Sequence, residues 1–435
     1  MDDRVMNRVL TRGSLPSQKS KKDFKKSLKV IPCGVQTLSK MPSKYVEGVY
    51  PIFLEQGRGA YVVDSDGNCF IDYTGALGAI LLGHGNQEVN EAIVNRLENG
   101  TLFVLPSNLE RILAEKLKQL IPCAEMSRFL KNGSDTTSAA VKIARSFTNR
   151  EHIAFCGYHG WHDWYTVNTP KNKGIPKCYA ALTHRFEFNN IDSLKEIFSK
   201  HSLAAVIMEP CIFDEPKPGF LQEIRKLCTK NNTLLIFDEV VTGFRFPKFS
   251  AQKYFGVIPD LATFGKAMAN GVPMSVVCGK KKIMKELEGM CFVSSTFGGD
   301  LIGISAALKT IRLLEDGKIL DDIWYFGGYL KDGFNEIAQE YKLDCECRGY
   351  PNRTFFFFPT AEHKSLFWQE CIQRGVFFGW ANFPTASHGE REILYTVKVM
   401  REALKVCKDN WDDPKKALKG KTSEETFRTI AEKKQ

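Results

Sequence analysis

Between about residues 85 and 310 the apolar positions of this chain follow two rhythms. "QEVNEAIVNRLENG" sets Val89, Ile93 and Leu97 on one stripe at helical spacing and then meets Gly100, which suits a helix stop. "NGSDTTSAAVKIARSF" repeats the helical rhythm with Ala140, Ile143, Ala144 and Phe147. Between such segments stand short, continuously apolar runs: "HIAF" (152–155), "AAVIM" (204–208), "TLLIF" (233–237) and "MSVVC" (274–278). Runs of that length without polar interruption suit strands buried on both faces. The pattern therefore predicts an α/β fold, with a mostly parallel central sheet and helices on both faces.

Outside that region the texture changes. "GAYVVDSDGNCFIDY" reads as a β-hairpin turning at Asp66-Gly67-Asn68. After about residue 310, helical stretches frame one strand, "RTFFFFP" (353–359), which predicts a smaller α+β domain. The expected division is a basic, mobile or loosely docked arm over 1–45 and a hairpin belonging to the small domain over 46–84. A large domain follows over 85–310, and then the rest of the small domain, with a charged tail, over 311–435. No internal repeat interrupts this order.

Bulk composition narrows the class. The chain has 435 residues, 43% of them hydrophobic and 25% charged, as in ordinary globular proteins. Its formal net charge is +10. Much of the excess lies at the ends, in Lys19, Lys21, Lys22, Lys25 and Lys26 and in Lys415, Lys416, Lys419, Lys421, Lys433 and Lys434. Only Phe24 stands among the N-terminal lysines, short of the run of interleaved aromatics a single-strand surface would want, so a nucleic-acid surface is not expected. No apolar run reaches the ~20 residues that span a bilayer, and the first residues lack the apolar core of a secretion signal. The 13 cysteines are odd in number and form no CxxC pair, which fits reduced thiols in the cytoplasm better than a disulfide framework.

Candidate chemistry sits where the predicted strands end, because ligands of open parallel sheets lie beyond the carboxyl ends of the strands. "TLLIF" leads into Asp238, Glu239 and Val240, "AAVIM" into Glu209, and "HIAF" is followed by Tyr158 and His159 in "CGYHGWH". Gly133 and Ser134 fall at the start of a helix, where unpaired backbone N–H groups and the helix dipole favour a phosphate. Lys266 stands in "PDLATFGKAMANGVP", a run of small and apolar residues that reads as protein interior. A phosphate cradle, an aromatic ring, a strand-end carboxylate and a shielded lysine are the parts needed to hold pyridoxal phosphate. The lysine is the group for a Schiff base, and the carboxylate is the partner for a protonated pyridine nitrogen. His159 and His162 have no third ligand at motif spacing, so no metal site is expected.

Taken in order, "FLKNGSDTTSAAVKIARSFTNRE", "GYHGWH", "LLIFDEVVTGFRF", "GVIPDLATFGKAMANGVP" and "SSTFGG" resemble the class III pyridoxal-phosphate aminotransferases. The chain is most similar to their glutamate-1-semialdehyde aminomutase branch, from about Ile31 to about residue 408. The resemblance implies a fold-type I pyridoxal-phosphate transferase. By the same matching, Lys266 is the Schiff-base lysine and proton carrier, and Asp238 is the partner of the pyridine nitrogen. Val240 and Tyr158 cover the two ring faces, with His159 beside them. Gly133 and Ser134 bind the phosphate, and Glu209 is a recurring acid near the ring. Thr296 in "SSTFGG" matches a threonine that reaches the phosphate from the neighbouring subunit, implying a homodimer with shared active sites. The implied reaction moves an amino group between a small-molecule amino donor and a carbonyl acceptor.

Departures from that branch fall at pocket-lining positions. "TLSK" ends in Lys40 where the branch has an arginine that holds a substrate carboxylate. Leu77 in "GALG" replaces a tryptophan, Asp214 replaces a cofactor-contacting asparagine, and "NFPTASH" replaces a Glu-containing segment. They argue against glutamate-1-semialdehyde as the substrate and favour an aminotransferase for another carbonyl compound, with Lys40 and Leu77 as substrate contacts. An aminomutase and a non-catalytic pyridoxal-phosphate-binding protein are the alternatives.

Overall fold

Seven strands between Met126 and Gly279 form one sheet in the computed structural model, which describes residues 15–424. In chain order they are β1 (Met126–Leu130), β2 (His152–Cys156), β3 (Thr183–Arg185), β4 (Leu203–Met208), β5 (Leu234–Asp238), β6 (Leu261–Phe264) and β7 (Ser275–Gly279). In space they run β1-β7-β6-β5-β4-β2-β3. Strands β3, β2, β4, β5 and β6 are mutually parallel. All residues of β4, β5, β6 and β7 are buried, as their unbroken apolar runs require.

Strand β7 differs in direction, being antiparallel to both β6 and β1. Its cause is covalent. Only the segment 265–274 separates it from β6, and a parallel return needs a crossover of roughly a dozen residues or more. Strands β1 and β3 escape a pattern reading because β1 is half solvent-exposed and β3 has three residues. The sheet belongs to a compact unit spanning Gln87–Leu320. Its helix Gly133–Thr148 buries Ala140, Ile143 and Ala144 completely, while Phe147 is only half-buried.

A second unit combines the residues up to Asn86 with those from Asp321 onward. Its hairpin pairs Tyr61–Asp64 with Cys69–Asp72 in antiparallel register, and Val376–Phe377 adds to Cys69–Asp72 in parallel. A separate two-stranded sheet pairs Glu346–Tyr350 with Arg353–Phe357. Tyr73, Phe334, Phe367 and Phe378 are among its largest buried side chains, packed with helices Ala361–Gln373 and Glu390–Asp409.

Residues 15–45 depart from the expected loose arm. Gln18–Val30 is a helix capped by Ser17, and it is tied to the hairpin turn. Ser17 N–H and Oγ donate to Asp66 at 2.9 and 2.6 Å, and Ser20 Oγ donates to it at 2.7 Å. Phe24 packs edge-on against Phe53. The lysines of this helix occupy its solvated side. The remainder of the expected arm, together with Lys433 and Lys434, lies outside the described residues. Among the described residues, no helix is long and apolar enough to cross a membrane.

Replacing Asp66 by Ala removes three hydrogen bonds and should cost about 1–3 kcal/mol of unfolding free energy. Urea unfolding reads the loss. Limited trypsinolysis should show faster cutting at Lys19 to Lys29; an unchanged digestion pattern would mean the helix docks without Asp66. A second expectation concerns His388, whose Nδ1 accepts from Thr385 N–H at 3.0 Å. Burial pushes its imidazole down to about 4. An unfolded chain protonates it near ~6.5, so stability is complete above that pH and is lost as the pH falls toward about 4. Thermal melts across that window should decline more steeply for the native chain than for His388→Asn.

Candidate active site

The carboxylate of Asp238 terminates β5, and the residue is only 4% exposed. A buried carboxylate needs partners, and Asp238 has them from three segments. His159 Nδ1 lies 2.8 Å from its Oδ2. Thr263 Oγ1 and Val240 N–H each donate to its Oδ1 at 3.1 Å. Thr263 is also the Cα partner of Asp238 in the β5–β6 ladder, so strand register delivers that hydroxyl. The His159 ring is fully buried, and its Nε2 is 3.1 Å from the Cys156 carbonyl. A carbonyl and a carboxylate both accept, so each of these contacts is a hydrogen bond donated by the ring nitrogen that faces it. Thr137 Oγ1 donates to the His159 carbonyl at 2.7 Å, which ties this turn to helix Gly133–Thr148.

Glu209, just beyond β4, accepts the N–H of Tyr158 at 3.0 Å. Its contact with the turn after β2 is therefore a positioning one. The turn passes through Gly157 at φ 102° and Gly160 at φ 103°. A Cβ on Gly160 would stand 2.2 Å from Ser134 Oγ, and Ser134 Oγ accepts the N–H of Trp161 at 3.2 Å. Tyr158 itself is half-buried and meets Tyr165 edge-on at 5.4 Å.

Gly133 and Ser134 open their helix after Asn132, whose N–H is taken by Asp135 Oδ2. Among the described residues the N–H groups of Gly133 and Ser134 donate to nothing, as a helix start leaves them. A Cβ on Gly133 would fall 2.7 Å from Val240 Cγ1, and one on Gly265 would fall 3.7 Å from the same atom. Val240 thus joins the helix start to the residue preceding Lys266. Lys266 is half-buried between buried Gly265 and Ala267, and its φ of 45° is left-handed. For a lysine that conformation costs about 1–2 kcal/mol.

The structure accordingly draws Gly133, Ser134, Tyr158, His159, Glu209, Asp238, Val240 and Lys266 into one connected set at the carboxyl ends of the strands. Asp214 stands apart, exposed in the loop after β4 with no hydrogen bond or ion pair among the described residues. Thr296 is also exposed, in a segment close to β1, since a Cβ on Gly298 would press on the Phe129 carbonyl. Lys40 and Leu77 belong to the other unit. Lys40 is exposed at the end of a 3-10 turn. Leu77 is 37% exposed within "GALG", whose four φ angles are 49°, 50°, 60° and 83°. "NFPTASH" packs on that left-handed turn: a Cβ on Gly78 would sit 2.9 Å from the Phe383 ring, and Phe383 N–H donates to the Tyr73 carbonyl at 2.6 Å.

Several members of the set were not read from the sequence. Thr263 and Thr137 carry no motif, and their roles follow from strand pairing and a loop contact. Glu239 was read only as a neighbour of Asp238. It faces the other way, accepting from Ala251 N–H, Gln252 and Thr242, and burial pushes its carboxyl up to about 7 despite those donors.

The donor set fits pyridoxal phosphate. Two unpaired amides stand beside glycines that leave no room for a Cβ, an acceptor carboxylate lies at a strand end, and a half-buried amine follows the adjacent strand. Comparison with known proteins agrees. Residues 43–381 match the family model "Aminotransferase class-III". A 3-aminobutyryl-CoA aminotransferase of Cloacimonas acidaminovorans is 37% identical over 398 residues, 88% of this chain and 95% of that protein. A glutamate-1-semialdehyde 2,1-aminomutase of Methanocaldococcus jannaschii is 32% identical over 430 residues, 90% of this chain and 99% of its own. Among solved structures, the pyridoxal-phosphate form of a FumI protein from Sphingopyxis sp. MTA144 superposes with a TM-score of 0.86 at 26% identity. It covers 93% of this chain and 99% of its own. This α/β chain is an enzyme of the aminotransferase and aminomutase type, and it belongs to the class III aminotransferases.

Proposed function

We propose that this chain is a pyridoxal-phosphate-dependent aminotransferase working by a ping-pong cycle. The observation that carries the reading is the buried Asp238 carboxylate, held by His159, Thr263 and Val240 N–H beside the segment that ends in Lys266. When bound, the cofactor supplies an electron-withdrawing ring that accepts the electron pair of a bond broken at the substrate carbon. Asp238 would hold a proton at the ring nitrogen, with His159 keeping the carboxylate in place. Lys266 Nζ would anchor the cofactor and is the group placed to carry a proton to and from the reacting carbon. The free amides of Gly133 and Ser134 would bind phosphate oxygens, and Val240 and Tyr158 would hold the ring.

For the substrate, the four departures count. Leu77 and "NFPTASH" belong to one packed region, and both differ from the aminomutase branch. We take Lys40 and Leu77 as contacts of a carbonyl substrate other than glutamate-1-semialdehyde. The 3-aminobutyryl-CoA enzyme, with a similar chain length, supports an acceptor-using transaminase. An aminomutase is the second reading, favoured by the five relatives of that activity at 31–34% identity. Titrating amino donors into the holoenzyme separates the two, since a transaminase loses its visible cofactor absorbance on adding donor and regains it with acceptor.

A homodimer with Thr296 reaching the partner's phosphate belongs to the same proposal, in a cytoplasmic enzyme. Its support is a pair of exposed apolar stretches, Phe103, Val104 and Leu105 with Met290, Phe292 and Phe297. They adjoin segments joined by the bond from Leu301 N–H to the Thr101 carbonyl. Exposed apolar groups on this scale mark an interface.

Lys266→Ala should abolish turnover and the visible absorbance of the purified holoenzyme, and Asp238→Asn should lower kcat by about 10²-fold or more. Retained colour and activity in Lys266→Ala would reject the assignment. Val104→Asp should shift the chain from dimer to monomer in sedimentation velocity, with loss of bound cofactor. A native chain that sediments as a monomer with full activity would reject the shared site.

A further inference from the structure

Three histidines outside this centre come together at the opposite ends of the same strands. His152 opens β2, His184 lies in β3, and His201 caps helix Ile191–Lys200 just before β4. The four steps of β2 from His152 to Cys156 span about 13 Å, so the trio is separated from the amino-transfer chemistry beyond Cys156. His152 Nδ1 is 3.0 Å from His184 Nε2, and the His184 and His201 rings stack at 4.0 Å. One nitrogen from each ring lies within 4.8 Å of the other two. All three residues are half-buried. Among the described residues, the contact between His152 and His184 is the only hydrogen bond these ring nitrogens make, and no carboxylate or carbonyl accepts from them.

Imidazole nitrogens gathered this way are poor company for one another, since one ring must donate to the next and the third has no partner. A divalent ion resolves the arrangement. Three neutral imidazoles suit a borderline metal rather than a hard, oxygen-seeking cation such as calcium or magnesium. Zinc takes imidazole nitrogens at ~2.0–2.1 Å in a tetrahedral set with water in the fourth place. That geometry needs nitrogens roughly 3.3 Å apart, which the first pair meets and the third ring reaches by turning about its side-chain bonds. We propose that His152, His184 and His201 bind one zinc ion at a site separate from the amino-transfer centre. The ion would clasp β3, the three-residue edge strand, to β2 and to the end of the helix before β4. Its ligands lie too far apart in sequence to form a motif.

The test uses the full-length holoenzyme after treatment with a chelator and dialysis. Zn²⁺ is titrated in competition with a chromophoric chelator of known affinity. One zinc per chain is expected, with at least a tenfold loss of affinity in His184→Gln and in His201→Gln. Cys178→Ser, at an exposed thiol, should leave binding unchanged. Absence of competition by the native chain, or native affinity retained in both histidine variants, overturns the proposal. If the variants fold poorly, zinc-edge X-ray absorption of the native chain decides the matter. A shell of three imidazole nitrogens supports the site, and a sulfur-dominated shell overturns it.

Discussion

Burial of the Asp238 carboxylate is the constraint around which the large unit's site is built. A charge that deep is tolerable only with donors on each oxygen. Its donors come from the turn after β2, from β6 and from its own backbone. Satisfying them fixes the β5–β6 register at Asp238 and Thr263 and seats the "GYHGW" turn. Through Thr137 that turn is tied to helix Gly133–Thr148, whose first amides face the same region. The same bonds that make the carboxylate tolerable also fix the turn against the start of that helix.

Close approach is the second requirement. Gly133 leaves space for Val240, and Gly160 leaves space for Ser134. An alanine at either position would need a shift of neighbouring atoms. Lys266 adopts a left-handed backbone directly after an extended glycine. Such strain persists only where surrounding contacts over-determine the chain, and here buried Gly265, Ala267, Met268 and Ala269 supply them.

In the smaller unit a comparable strain appears at Gly75, Ala76, Leu77 and Gly78, four successive residues in the left-handed region. Two of them are not glycine. The segment "NFPTASH" holds the turn from one side: Ala386 N–H donates to the Leu81 carbonyl and Ser387 Oγ to the Leu82 carbonyl. Sequence differences from the aminomutase branch at Leu77 and in "NFPTASH" are therefore changes within one packed region.

Much of this protein was legible without coordinates. Long apolar runs declare buried strands whatever surrounds them, so the cores of β2, β4, β5 and β7 were readable, as were the hairpin and the helix after Asn132. Position at strand ends singled out Asp238 and Tyr158 as candidates, a run of small and apolar residues singled out Lys266, and a helix start singled out Gly133 and Ser134. Tertiary structure alone decided the rest, because those features depend on through-space distance. The reversal of β7 follows from the short path after β6, and Thr263 meets Asp238 only through strand register. Helix Gln18–Val30 docks because Asp66, 46 positions beyond Ser20, accepts its hydroxyls. His152, His184 and His201 share no spacing that a one-dimensional pattern could carry, and only the parallel pairing of β2, β3 and β4 brings them together.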